Sequence, residues 1–219
     1  MWNSQVIIML LEGIRDTLYM TLASTLLGYI IGLPMGIVLT VTDKDGIRPN
    51  AAVYKVLDVI SNLLRSIPFI ILLIVLIPFT RFVVGRSYGS TATIVPLTIA
   101  AAPYIARMVE SSLKEVDAGV IEAARSMGAS DFQIVTKVML VEARTSLIVG
   151  ATISLGTILG YSAMAGTVGG GGLGDIAIRY GYTRWQTDIM VVTVVLLVIL
   201  FQIFQTIGMK IANRLDRRK

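Results

Sequence analysis

Histidine and cysteine are both absent from the 219 residues. That removes imidazole bases, thiolate nucleophiles, disulfides and Cys/His metal sites together. No G-x-x-x-x-G-K-[ST] phosphate loop occurs, so the chain does not bind ATP by that device. Ionisable groups crowd instead into residues 107–144, with five basic and six acidic side chains in 38 positions. A charge at bilayer centre costs ~3 kcal/mol, and burying eleven would cost roughly 30 kcal/mol. This segment is therefore expected in water, as the only sizeable soluble part.

Inside that segment the residues read as a short helix, a sharp turn and a second helix. Val120-Ile121-Glu122-Ala123-Ala124-Arg125-Ser126-Met127 favours helix, with Asp117 placed as an N-cap and Gly128 as the C′ stop. Ser130-Asp131-Phe132-Gln133 then reads as a capping box opening a second helix. Val120, Ala124 and Met127 share one face at i, i+4, i+7 spacing. So short a helix is unstable alone and needs a partner for that face. The chain's own membrane helices and a separate subunit fit the arithmetic equally well.

The elements that must carry this segment are membrane spans. Hydrophobic residues make up 55% of the chain and charged residues 15%, against roughly 25% charged in a soluble domain. A span needs about 20 apolar residues. Uncharged runs of that order predict five helices, at about 17–42, 57–80, 87–106, 145–168 and 189–209. The second carries Arg65, placed near a bend or facing water. Residues 1–16 read as an interfacial lead-in rather than a signal peptide, because no basic n-region or A-x-A site is present. Residues 211–219 read as a basic tail.

Lysine and arginine then set the orientation. Residues 43–65, 107–144 and 210–219 carry four, five and five basic side chains on one side, against five scattered over the segments of the other. This bias puts the N-terminus outside and the large loop and C-terminus in the cytoplasm. The net charge of +5 is accounted for by anchoring beside lipid, with no nucleic-acid partner implied. None of the long uncharged runs holds an ionisable residue, unlike proton relays and ion-coupled carriers. Ser24, Gly28, Gly32 and Gly36 recur every fourth residue and form a small face for close helix packing. Pro34, Pro68, Pro78, Pro96 and Pro103 fall within apolar stretches, where kinks for packing outrank hinges. Five thin helices are few to enclose a solute path, and a homodimer about a two-fold axis is the economical solution. Gly169–Gly174 is expected to stop a helix in an irregular turn near the outer face.

Glu122-Ala123-Ala124, three residues, Gly128, nine residues, Val138, one residue, Leu140 resembles the signature of the membrane subunit of binding-protein-dependent ABC importers. The usual closing proline is absent, Val141 standing in its place, and Val138 replaces the commoner isoleucine. Three further segments are similar to the methionine-importer branch. They are Arg65-Ser66-Ile67-Pro68-Phe69-Ile70, Ala101-Ala102-Pro103-Tyr104-Ile105-Ala106-Arg107 and Gly160-Tyr161-Ser162-Ala163-Met164-Ala165-Gly166 with its glycine run. The resemblance implies an all-α, type I importer permease fold of the bacterial inner (plasma) membrane, multi-pass, with no catalysis and no cofactor of its own. Its implied partners are a second copy, two copies of an ABC ATPase that uses the ATP, an external substrate-binding protein and membrane lipid.

The resemblance also implies roles. Glu122, Ala123, Ala124, Arg125, Met127 and Gly128 would form a coupling helix docked on the ATPase. Glu122 would pair with a basic group there, the alanines would allow close approach, and Gly128 would end the helix tightly. Met164, Ser162, Tyr161 and Pro68 are candidates for the translocation path, with Met164 either a plug near the two-fold axis or a filler of a packing gap. The implied cargo is methionine, as the D and/or L isomer. Another amino acid or small polar solute is the alternative, and a membrane scaffold without transport the more distant one.

Overall fold

The computed structural model describes residues 4–216, and within them every regular element is helical. Residues 217–219 of the expected basic tail lie outside the described residues, as do 1–3 of the lead-in. The first helix, α1 (Ser4–Thr42), is continuous. Residues 4–16 are thus one rod with the first span rather than a separate segment. Its hydroxyls are satisfied within the helix, Thr17 Oγ1 donating to Gly13 O at 2.8 Å and Thr40 Oγ1 to Gly36 O at 3.0 Å.

The expected second span is broken into three helices: α2 (Ala51–Ser66), α3 (Phe69–Val75) and α4 (Ile77–Val84). The first break has a local cause. A residue before proline is steered away from helical backbone, and Ile67, ahead of Pro68, is extended at φ −80°, ψ 124°. The chain bends there by 101°. Pro68 and Pro78 therefore begin helices, whereas Pro34, Pro96 and Pro103 lie inside them.

The third span, α5 (Ser90–Lys114), runs eight residues past its expected end at residue 106. It is the axis of the bundle: Leu97, Ile105, Val109 and Leu113 are fully buried. Next come α6 (Ala118–Ser126), α7 (Asp131–Gln133), a π-helical stretch (Ile134–Met139), α8 (Leu140–Glu142) and α9 (Arg144–Ala165). With valine where a proline closes the signature, Ala143 N donates to Met139 O and Leu147 N to Ala143 O, and the chain passes into α9 without a sharp break.

After α9 a 3-10 turn (Gly166–Val168) leads through α10 (Gly172–Ile176) and a π-helical stretch (Ala177–Tyr182) to α11 (Thr187–Leu215). The glycine run does reverse the chain, with positive φ at Gly169, Gly171 and Gly172. Contrary to expectation, helix resumes within the run, and the turn is a buried knot. Leu173 N donates to Thr17 Oγ1 at 2.9 Å, and Gly89 N to Gly169 O at 2.9 Å, tying α1, α5 and α10 together. Four helices are long and apolar enough to cross a membrane, or five when the bent α2–α3 pair is taken as one span.

The small face of α1 lies directly on α5. A Cβ on Gly36 would stand 2.5 Å from Ala106 O and 2.7 Å from Val109 Cβ, and one on Gly32 2.6 Å from Ala102 O. Overpacking such a contact costs roughly 1–3 kcal/mol. Gly36→Leu is expected to lower the melting temperature of the detergent-purified protein. Gly160→Ala, placed where nothing lies within 4 Å, leaves it unchanged. Equal melting of Gly36→Leu and the parent would refute the close contact.

Candidate functional site

Two neighbourhoods hold the residues of interest. At one end of the bundle, α6 projects between two clefts. One, of about 430 Å³, is lined by Asp43, Asp45, Glu122 and Arg125 among others. The other, of about 390 Å³, includes Glu115, Asp117, Val120 and Glu142. The helix is capped as its sequence requires: Asp117 Oδ1 accepts from Gly119 N at 2.8 Å. At the far end Gly128 N donates to Arg125 O and Ala129 N to Ala124 O, the paired bonds of a Schellman stop. Gly128 has φ +81°, and nothing lies within 4 Å of where its side chain would start. The capping box also forms, Ser130 N donating to Gln133 Oε1 at 2.9 Å and Gln133 N to Ser130 Oγ at 3.3 Å.

The expected apolar face of α6 is divided. Ala124 is buried in the chain's own core with Leu113, Ile134 and Met139, so it is not available to a second subunit. Val120 is 42% exposed and Met127 82%, and Phe132 across the turn is 77% exposed. Glu122 and Ala123 are exposed as well. Arg125 is committed inward, its Nη2 donating to Ile47 O at 2.7 Å. The free surface is thus Val120, Glu122, Ala123, Met127, Gly128 and Phe132, the last not singled out by the sequence.

Behind α6 lies a network, part of which residue spacing could have revealed. Arg107 pairs with Glu110 at 2.7 Å and with Asp58 of α2; Lys114 pairs with Glu110 at 2.7 Å and with Asp43 at 2.6 Å. Residues 107–114 are therefore not a solvated loop: Glu110 is 4% exposed. The i, i+3 and i, i+4 spacing of Arg107, Glu110 and Lys114 is the signal. The Lys114 hydrogen bond holds the Asp43 carboxyl below the usual carboxylate range against the opposing effect of burial.

The second neighbourhood is the face of α9. Met164 (51% exposed), Gly160 and Ile153 (50% exposed) follow at helical spacing and point away from the bundle, with half-buried Thr157 between them. Pro68 is exposed beside them in sequence to Phe69, whose ring stacks on Tyr161 at 4.6 Å between centroids. Ser162 does not join this face. It is buried against α1, donating to Leu159 O at 2.8 Å, with Thr21 Oγ1 at 3.5 Å. Among the described residues no group of His, Cys, Asp or Glu could hold a metal ion.

Comparison with known proteins agrees with this architecture. The model of the family described as binding-protein-dependent transport system inner membrane component matches residues 18–219. A probable D-methionine transport system permease protein of Vibrio cholerae is 48% identical, over 96% of this chain and 93% of that protein. The D-methionine transport system permease protein of Escherichia coli K12 is 54% identical over 72% of this chain and 73% of its own. The structure superposes with a TM-score of 0.97 on a chain of an inward-facing methionine ABC transporter, 49% identical, covering 99% of this chain and 100% of that one. An amino acid ABC transporter at 20% identity, TM-score 0.78, shares the fold.

The network makes two predictions. Removing one partner of a buried pair costs up to roughly 3–5 kcal/mol, so Arg107→Met, which leaves Glu110 to Lys114 and removes the tie to Asp58, should lower thermal stability in detergent. For Asp43 the folded carboxyl titrates below its ordinary value of 3.8, so its contribution is present above that value and is lost as pH falls through the folded one. Asp43→Asn should flatten the acid limb of a melting-temperature profile below about pH 5.

Proposed function

The chain belongs to the family of binding-protein-dependent transport system inner membrane components, and on that premise we propose that it is the permease subunit of an ATP-driven methionine importer. Two copies form the path, two copies of a separate ATPase dock at the α6 end, and an external binding protein delivers cargo at the opposite end. The α6 end and the C-terminus then face the cytoplasm, in keeping with the distribution of Lys and Arg. The cargo follows from the permease relatives named for D-methionine transport, whose similarity spans 96% and 72% of the chain.

The observation that carries this reading is the shape of the α6 end, a capped helix rooted by Ala124 that leaves Met127 at its close and Phe132 of α7 bare. An apolar surface of that kind fits a groove on a partner. Closure of the ATPase dimer would pull on α6, and α6 would pull on what it is rooted in: α5 through the core around Leu113, and the 43–50 connection through Arg125. The attached helices would then swing as rigid bodies. Glu122, exposed and without an ion pair among the described residues, would find its cation on the ATPase. The α9 face of Ile153, Thr157, Gly160 and Met164 would line the path near the two-fold axis, Met164 acting as its plug.

Gly128 provides the test, because its side-chain position is open within this chain. Gly128→Trp should insert normally, lose methionine uptake by at least about tenfold, and fail to hold or couple the ATPase. Gly128→Asn, which tolerates a positive φ, should retain most uptake. Normal uptake by the tryptophan variant would refute the docking role. A cysteine at position 164 should react with a membrane-impermeant thiol reagent at different rates in nucleotide-free and ATP-bound transporter; equal rates would remove Met164 as a gate.

A further inference from the structure

We propose that Arg65, with the Phe69–Tyr161 pair, forms a subsite for the cargo inside this subunit. The guanidinium takes the carboxylate, and the stacked rings take the thioether side chain. The inference deepens the methionine-permease reading and rests on it.

Arg65 differs from Arg107 in what holds it. Arg107, one turn beyond Tyr104 on α5, is engaged through its terminal nitrogens by Asp58 and Glu110. Arg65 makes no ion pair among the described residues; what it has is Tyr104, whose ring centroid lies 5.9 Å from its Cζ. That packing orients a guanidinium without neutralising it. The residue ends α2 where the chain turns through 101°, so its charge is presented at a break in the helical wall.

It opens on a cleft of about 160 Å³ lined also by Phe69, Ala100, Tyr104 and Tyr161. Pockets for drug-sized ligands need roughly 300–1,000 Å³, so this one admits only a small solute or one end of it. One wall carries a cation with the fork geometry that pairs bidentately with carboxylates. The other is the Phe69–Tyr161 stack, 4.6 Å between centroids and within 5° of parallel, a surface on which a thioether sulfur packs favourably. A carboxylate at one end and a sulfur-bearing apolar chain at the other match the two walls. The competing explanation is that Arg65 only complements the dipole at the end of α2. That role needs neither the rings nor the cleft.

Because the chain has no cysteine, Ala100→Cys places one thiol in the cleft wall. The whole transporter, with its ATPase, is labelled at this position by an anionic methanethiosulfonate in zwitterionic detergent, and modification of this chain is read by mass. Methionine should slow labelling at least about threefold, and methioninamide, which lacks the carboxylate, should not. Arg65→Gln should abolish protection while the ATPase still co-purifies, and Arg65→Lys should restore part of it. Equal protection by acid and amide, protection unchanged in Arg65→Gln, or no protection by methionine would each overturn the subsite. Protection by phosphatidylglycerol but not by methionine would assign Arg65 to lipid and overturn it too. Methionine uptake by the parent transporter is measured alongside. If uptake is present and protection absent, the subsite alone fails; if uptake itself is absent, the permease reading fails.

Discussion

A backbone-level contact between two helices governs this bundle. Apolar side chains gain little by leaving lipid for one another, so membrane helices associate through close van der Waals fit. Here Gly28, Gly32 and Gly36 bring α1 so near α5 that side chains on those glycines would meet Ala101, the carbonyls of Ala102 and Ala106, and Ile105 and Val109. α5 thereby becomes the axis on which α1, α2, α3, α4 and α9 are assembled. At the opposite end from α6 the glycine knot does the same work on a smaller scale, locking α10 against Thr17.

The charges at the α6 end act as a second fastening, set where the first gives out. Glu110 is buried and stands between Arg107 and Lys114, and these reach Asp58 on α2 and Asp43 just after α1. Taking such groups out of water is costly and is offset only when each has partners. The result is geometric definition: three segments that glycine packing leaves free at this end are held in one arrangement. Only three residues separate α6 from Lys114 of that platform, so its position is inherited from α5 rather than set by a flexible loop.

Much of this was legible in the chain. The caps at Asp117, Gly128 and Ser130 formed where hydrogen-bonding rules place them, because they depend on neighbours within four residues. The small face of α1 was likewise readable, since its period is local. What escaped was whatever depended on a second segment. Charge counting took 107–114 for solvated loop, because hydropathy cannot see that Asp58 and Asp43 arrive to neutralise it. The face of α6 was drawn as one stripe, yet the π-helical stretch brings Ile134 and Met139 beneath Ala124 alone. Ser162 falls beside Met164 in sequence but a helix turns it toward α1, and the second span's breaks needed the steric effect of proline read at each site rather than an uncharged run measured.

The division of α6 into a rooted side and a bare side bears on how such a helix can carry force. A nine-residue helix with its whole apolar face exposed would not hold its shape before a partner arrived. One with that face wholly buried would offer nothing to grip. Ala124 supplies the root and Met127 with Phe132 the grip. A single root would still let the helix pivot, so that a pull on its far end would be spent in rotation. The bond from Arg125 to Ile47 adds a second anchorage on a different segment, so that, on the proposed docking of α6, a pull on Met127 would reach the 43–50 connection as well as α5. The short element would then move with its long neighbours, as the proposed partner-driven permease requires.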